Sequence, residues 1–147
     1  MLKQILQPGY IFTDVAATSK KKALQDIAEM ISQLVPELTS DYIFDNLIAR
    51  ERLGSTGFGN GVAIPHCRIS DYDKIIGAFF RLKDPIDFDA VDKRPVNLLF
   101  VLLVPEEEKT AHLEVLSLLS EKFSNETIRN KLATMSKEDI YQLFINS

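Results

Sequence analysis

Two histidines occur in the 147 residues, and one of them, His66, closes the run Gly54-Ser55-Thr56-Gly57-Phe58-Gly59-Asn60-Gly61-Val62-Ala63-Ile64-Pro65-His66. An imidazole titrates near physiological pH and in its neutral form is a nucleophile, so a histidine beside groups that hold an oxyanion can accept a phosphoryl group and pass it on. Glycines at 54, 57, 59 and 61 permit positive φ and let backbone N–H groups converge, an arrangement that binds anions. Gly57 and Gly59, with Ser55, Thr56 and Asn60 as further donors, are therefore expected to hold phosphate. Pro65 fixes its own φ and restricts Ile64 to extended geometry, which aims His66. The run lacks the third glycine of the dinucleotide fingerprint and the Gly-Lys-Ser/Thr of a P-loop, so a bound nucleotide is not expected. The ordinary alternative for His66 is a hydrogen-bonded, structural histidine at a strand end.

Other residues could complete such a site. Arg50 precedes the glycine run; its guanidinium could clamp phosphate through charge-assisted bonds, or it could form a surface ion pair on an amphipathic helix. His112 falls in a first helical turn, where the field of the helix N–H groups disfavours a protonated imidazole, and its alternative is a helix-surface position facing water. Cys67 beside His66 lacks a nucleophile motif and is expected to pack as a small buried thiol. Phe58 is either a core anchor or a contact for a partner protein. Two histidines without a third or fourth ligand at suitable spacing make no zinc signature, so neither metal nor cofactor is expected.

The elements that must position these groups can be read from periodicity. Ser19 precedes Lys20 to Leu34, where Ala23, Leu24, Ile27, Ala28, Ile31 and Leu34 recur at helical spacing before Pro36. A second helix is expected from Ser40 or Asp41 to Arg52, with Gly54 just beyond its end. Val62 to Ile64, Ile75 to Leu82 and Val96 to Val104 read as strands, the last interior because it lacks polar alternation. Asp84-Pro85-Ile86-Asp87-Phe88-Asp89 and Asp92-Lys93-Arg94-Pro95 carry turn chemistry. Thr110 is expected to cap a helix to Phe123, and Ser136-Lys137-Glu138-Asp139 opens a last helix to Ile145. Helices at both ends of a strand-rich middle predict an α/β fold, a three-layer α/β/α sandwich.

Bulk properties narrow the class. A length of 147 residues with 46% hydrophobic composition predicts one domain, residues 1–147, with a sizeable core. With 17 basic against 21 acidic side chains and no dense basic stripe, a nucleic-acid partner is not expected. Lys20-Lys21-Lys22 falls short of a polybasic cluster and is expected to be the solvated first turn of a helix. The single cysteine and the N-terminal Met1-Leu2-Lys3-Gln4, which carries no secretory pattern, predict a cytoplasmic protein. Leu98 to Val104 spans about a third of the roughly 20 residues a membrane helix needs, so no membrane insertion is expected.

The segment Arg50-Glu51-Arg52-Leu53-Gly54-Ser55-Thr56-Gly57-Phe58-Gly59-Asn60-Gly61-Val62-Ala63-Ile64-Pro65-His66 resembles the active-site segment of fructose/mannitol-type enzyme IIA domains of the bacterial phosphotransferase system. Pro85 to Asp92 and Leu98 to Pro105 are similar to the family's later segments, with His112 following as its second histidine, and the nitrogen-regulatory branch is the nearest in pattern. The resemblance implies that His66 accepts a phosphoryl group from an HPr-type phosphocarrier supplied through enzyme I, with Arg50 and His112 stabilising the group in transfer. It also implies one α/β domain with a mixed sheet between helices. As a nitrogen-regulatory member the chain would control target proteins such as potassium-transport or sensor-kinase components through its phosphorylation state. As a sugar-specific member it would pass phosphate to a IIB domain instead. Cys67 stands where a glycine commonly follows the active histidine in the sugar-transport relatives, a departure that slightly favours the regulatory branch. With no transporter segment in the sequence, the regulatory role is the expected one.

Overall fold

A computed structural model describes residues 1–146; Ser147, the last residue of the expected domain, lies outside the described residues. The elements run α1 (Leu2–Ile5), a 3-10 turn at Pro8–Tyr10, β1 (Ile11–Val15), α2 (Lys20–Leu34), α3 (Ser40–Arg52), β2 (Gly57–Gly59), β3 (Val62–Ala63), β4 (His66–Ile69), β5 (Ile76–Ile86), β6 (Val96–Pro105), α4 (Ala111–Phe123), α5 (Glu126–Leu132) and α6 (Lys137–Ile145).

The strands form one mixed sheet in the order β1-β5-β6-β3-β2, with β4 also paired to β6. β6 is the axis of this sheet. It runs antiparallel to β5 on one side, and on the other it pairs in parallel first with β3, Val62 opposite Leu98, and then with β4, His66 opposite Leu102. Its apolar run is explained by burial on both faces. Phe80, Leu99, Val101 and Leu103 face α2 and α3 in one core layer, whereas Phe79, Phe100, Leu102 and Val104 face Val115, Leu119 and Phe123 of α4 and Ile140 and Phe144 of α6 in the other. Phe144 sits at the centre of the second layer, with ring centroids 5.3 Å from Phe79, 5.1 Å from Phe100 and 6.0 Å from Phe123. Burying each such ring contributes about 1.5–3 kcal/mol. The α/β/α sandwich expected from the sequence is the fold.

α2 keeps the expected bounds: Ser19 Oγ accepts from the Lys22 N–H at 3.1 Å, and Ala23, Leu24, Ile27, Ala28 and Ile31 are buried. α3 also keeps the expected bounds, starting at Ser40, with Thr39 Oγ1 as its cap accepting from the Tyr42 N–H at 3.2 Å. Two expectations need correction. Asp84-Pro85-Ile86 is not a turn but the end of β5, and the register slips between Arg81 and Ile86, an irregularity of the kind that accommodates a proline lacking a ladder N–H. Thr110 occupies the N-cap position of α4 without a side-chain cap bond; Glu108 Oε1 accepts from the Ala111 N–H at 3.0 Å in its place.

Candidate functional site

The site is built where β3 gives way to β4. Pro65 cannot donate to the ladder, and the strand pairing beside β6 breaks there, but its carbonyl still accepts from the Leu102 N–H at 3.0 Å and holds the chain against β6. β4 then resumes with its side chains alternating, so His66 and Arg68 point away from the core while Cys67 and Ile69 point into it. His66 is half-buried, and its Nδ1–H donates to the Ile64 carbonyl at 2.7 Å. In the neutral ring that bond fixes the tautomer and leaves the Nε2 lone pair free.

His66 lines a pocket of about 450 Å³ together with Arg50, Arg68, His112, Cys67 and an apolar wall that includes Leu53, Leu113 and Leu116. Leu53 is 85% exposed and Leu113 56% exposed, so the rim presents apolar surface to solvent. Arg50 reaches the pocket from the last turn of α3, with Nη1 donating to the Gly54 carbonyl at 2.7 Å, a bond that ties the side chain to the turn after the helix. The next residue, Glu51, points inward and is buried: it accepts from the Thr56 N–H at 3.1 Å and from the Thr56 hydroxyl, and pairs with Lys20 Nζ at 2.9 Å. This fastens the turn that carries Arg50.

His112 enters from the first turn of α4. Its titration is pulled below the ordinary histidine range, first by burial and then by the Arg68 guanidinium and by His66, with Glu108 opposing. The helix-field expectation of a neutral ring agrees in direction. Arg68 is the residue that sequence reasoning overlooked. Its Nη1 donates to the Pro105 carbonyl at 3.0 Å and to the Glu108 carbonyl, and its Nη2 lies 3.4 Å from His112 Nε2. No motif marks it; the available signal was strand alternation, which puts the second residue after His66 on the same face.

The structure brings His66, Arg50 and His112 together and leaves the glycine-rich segment elsewhere. None of Ser55, Thr56, Gly57, Gly59 and Asn60 lines the pocket. Their donors are committed internally: Ser55 Oγ donates to the Phe88 carbonyl at 2.8 Å and accepts from the Gly57 N–H at 3.0 Å, Thr56 is held by Glu51, and the Asn60 N–H donates to Asp92 Oδ2 at 2.8 Å. The glycines answer to backbone geometry. A Cβ on Gly57 would lie 2.8 Å from the Cα of Ala90, and Asn60 (φ 57°) with Gly61 (φ 82°) makes the two-residue hairpin turn between β2 and β3.

Cys67 packs as expected, buried in the core layer under α2 and α3, and burial pushes its thiol up to about 12. Phe58 is half-buried against the opposite layer. Lys20 departs from the expected solvated turn, since besides Glu51 its ammonium sits 4.7 Å from the centre of the Phe88 ring, a cation–π contact. A larger open cleft of about 740 Å³ is lined by Glu37, Asp71, Asp73, Glu107 and Glu108, whose carboxylates repel a phosphoryl dianion. Among the described residues no group of three or more His, Cys, Asp and Glu side chains is placed to hold a metal, and no helix is long and apolar enough to cross a membrane.

Similarity to known proteins agrees with this geometry. A nitrogen regulatory protein of Pseudomonas aeruginosa is 46% identical over 146 residues, 99% of this chain and 95% of that protein. One from Escherichia coli K12 is 41% identical over 99% of this chain and 90% of its own length. The crystal structure of nitrogen regulatory protein IIA-Ntr from Neisseria meningitidis superposes with a TM-score of 0.90 at 43% identity, covering 95% of both chains. The mannitol IIA of Escherichia coli, 20% identical with a TM-score of 0.77 over 95% of this chain and 98% of that one, shares the fold. Residues 4–147 match the family described as phosphoenolpyruvate-dependent sugar phosphotransferase system, EIIA 2, and the chain belongs to that family.

Proposed function

We propose that His66 is the phosphoacceptor of a phosphotransferase-system IIA protein of the nitrogen-regulatory kind, charged by an HPr-type phosphocarrier. The observation that carries this reading is the 2.7 Å bond from His66 Nδ1 to the Ile64 carbonyl, which commits one ring nitrogen and leaves Nε2 free beside Arg50 and His112. In the transfer, Nε2 attacks the phosphorus of the carrier's phosphohistidine in line, the new N–P bond forms as the old one breaks, and the carrier imidazole leaves with the electron pair. Such a transition state needs little covalent work from the protein, so positioning and charge stabilisation are what the site must supply. Arg50 has guanidinium N–H groups beyond the one spent on Gly54, and the apolar rim at Leu53 and Leu113 offers a carrier protein a docking surface.

Phosphorylation adds close to two negative charges to this rim, enough to attract or repel a partner's surface, which is how a carrier of phosphate becomes a regulator of target proteins. The regulatory reading rests on the whole-length similarity to nitrogen regulatory proteins. Intact mass after incubation with phosphoenolpyruvate, enzyme I and an HPr-type carrier tests the acceptor. One acid-labile phosphoryl group on the wild type and none on His66→Ala is the expected result, and equal labelling of both would defeat it. Adding a IIB domain to the charged protein separates the two outputs: retention of the label supports the regulator, and rapid discharge supports a sugar-specific IIA.

A further inference from the structure

The contact between Arg68 and His112 constrains more than position. A guanidinium has five N–H donors and no acceptor, so in the 3.4 Å approach of Arg68 Nη2 to His112 Nε2 the arginine donates and the imidazole nitrogen accepts. Nε2 is then unprotonated and the proton of the neutral ring is on Nδ1, an atom that is buried without a hydrogen-bond partner. Arg68 is itself held by the carbonyls of Pro105, at the end of β6, and Glu108, in the turn before α4. Both ends of the contact are thus fixed by the junction that launches α4, while β4 puts Arg68 on the same side as His66, about 6.6 Å further along the strand.

We propose that Arg68 is the positioning residue for His112, holding its imidazole neutral with the proton on Nδ1 in the unphosphorylated protein and releasing Nε2 when a phosphoryl group arrives on His66. The second half of this proposal rests on the phosphoacceptor reading of His66. The groups that face His112 are Arg68 and His66 from β4, Glu108 from the turn, and Arg50 from α3 across the pocket. In the unphosphorylated protein burial and the neighbouring cations outweigh Glu108 and favour the neutral ring. A phosphoryl dianion reverses the balance. Its oxygens are stronger acceptors for the Arg68 N–H than a neutral nitrogen is, so Nε2 is vacated, takes a proton from solvent, and becomes a second donor to the phosphoryl group.

Imidazole nitrogen NMR on the full chain tests this. In the unphosphorylated wild type, His112 should carry its proton on Nδ1 and titrate below the ordinary histidine range; a ring protonated on Nε2 would overturn the proposal without any variant being made. Arg68→Met, checked for an intact amide spectrum, should raise the titration midpoint of His112 and shift the ring toward the Nε2–H form, and an unchanged midpoint and tautomer would also overturn it. In the phosphorylated protein the midpoint should rise above that of the unphosphorylated one. If His66 accepts no phosphoryl group from an HPr-type carrier, the phosphoacceptor reading fails while the tautomer measurement still decides the contact.

Discussion

Along one edge of β6 the chain lays two short strands, β3 and β4, on either side of Ile64 and Pro65, and the two segments spend their polar groups in opposite ways. The hairpin of β2 and β3 and the two residues before it spend their donors within the chain, on Phe88, Glu51 and Asp92. β4 turns His66 and Arg68 outward, into a pocket shared with Arg50 and His112. The hairpin has the glycines and hydroxyls that by composition look like an anion cradle, yet the open pocket with cationic and imidazole groups lies beyond the proline. Donors bind a ligand only when the fold leaves them unspent.

The comparison can be broken first at its chemical end. His66→Ala should remove all phosphoryl incorporation, read by intact mass, while the thermal midpoint stays close to the wild type because the side chain is only half-buried. Next, Arg50→Ala should slow transfer roughly 10²-fold, the usual cost of removing one preorganised donor, in a rapid-quench assay with the charged carrier. The hairpin end should fail differently. Glu51→Ala leaves the buried Thr56 N–H without its acceptor and Lys20 with the exposed Asp89, 3.6 Å away, as its carboxylate partner, and should cost about 3 kcal/mol in urea unfolding, with His66 still labelled when the protein is folded. Gly57→Ala forces a Cβ against Ala90 and should cost about 1–3 kcal/mol in the same measurement. The smallest effect is expected at Cys67, where a thiol raised to about 12 by burial should resist alkylation at pH 8 until the protein unfolds. A hairpin variant that folds normally and loses transfer as completely as His66→Ala would erase the distinction between the two segments.

Legibility in the sequence follows the same division. Long periodic elements stood out: α2 keeps its expected bounds, and β6 and α4 were bounded to within about a residue, because burial on one stripe or both faces writes a strong pattern. β1, β4 and α5 did not, since four to seven residues carry too little periodicity, and β4 also begins directly after a proline. Asp84-Pro85 was misleading because local turn chemistry is overridden where β5 slips register to rejoin Val96. At the site, His66, Arg50 and His112 could be singled out by residue type and converge in the fold. Arg68 could not, because its partners are two main-chain carbonyls and a ring about 40 residues away, none of which leaves a mark near Arg68 in the chain.

The last turn of α3 carries Arg50 toward the pocket and Glu51 toward the core on adjacent residues, and successive residues of an α-helix are turned by about 100°. Deleting a single residue upstream in this helix, with its apolar face kept in place, would rotate Glu51 into the pocket and drive Arg52 against Lys20, whereas adding one would put Ala49 in the pocket and turn Arg50 itself against Lys20. The length of α3 is therefore under a constraint that no single side chain reveals. Descendants of this chain can vary in the exposed turn at Asp71 to Lys74 far more freely than in the thirteen residues that set the phase of one guanidinium.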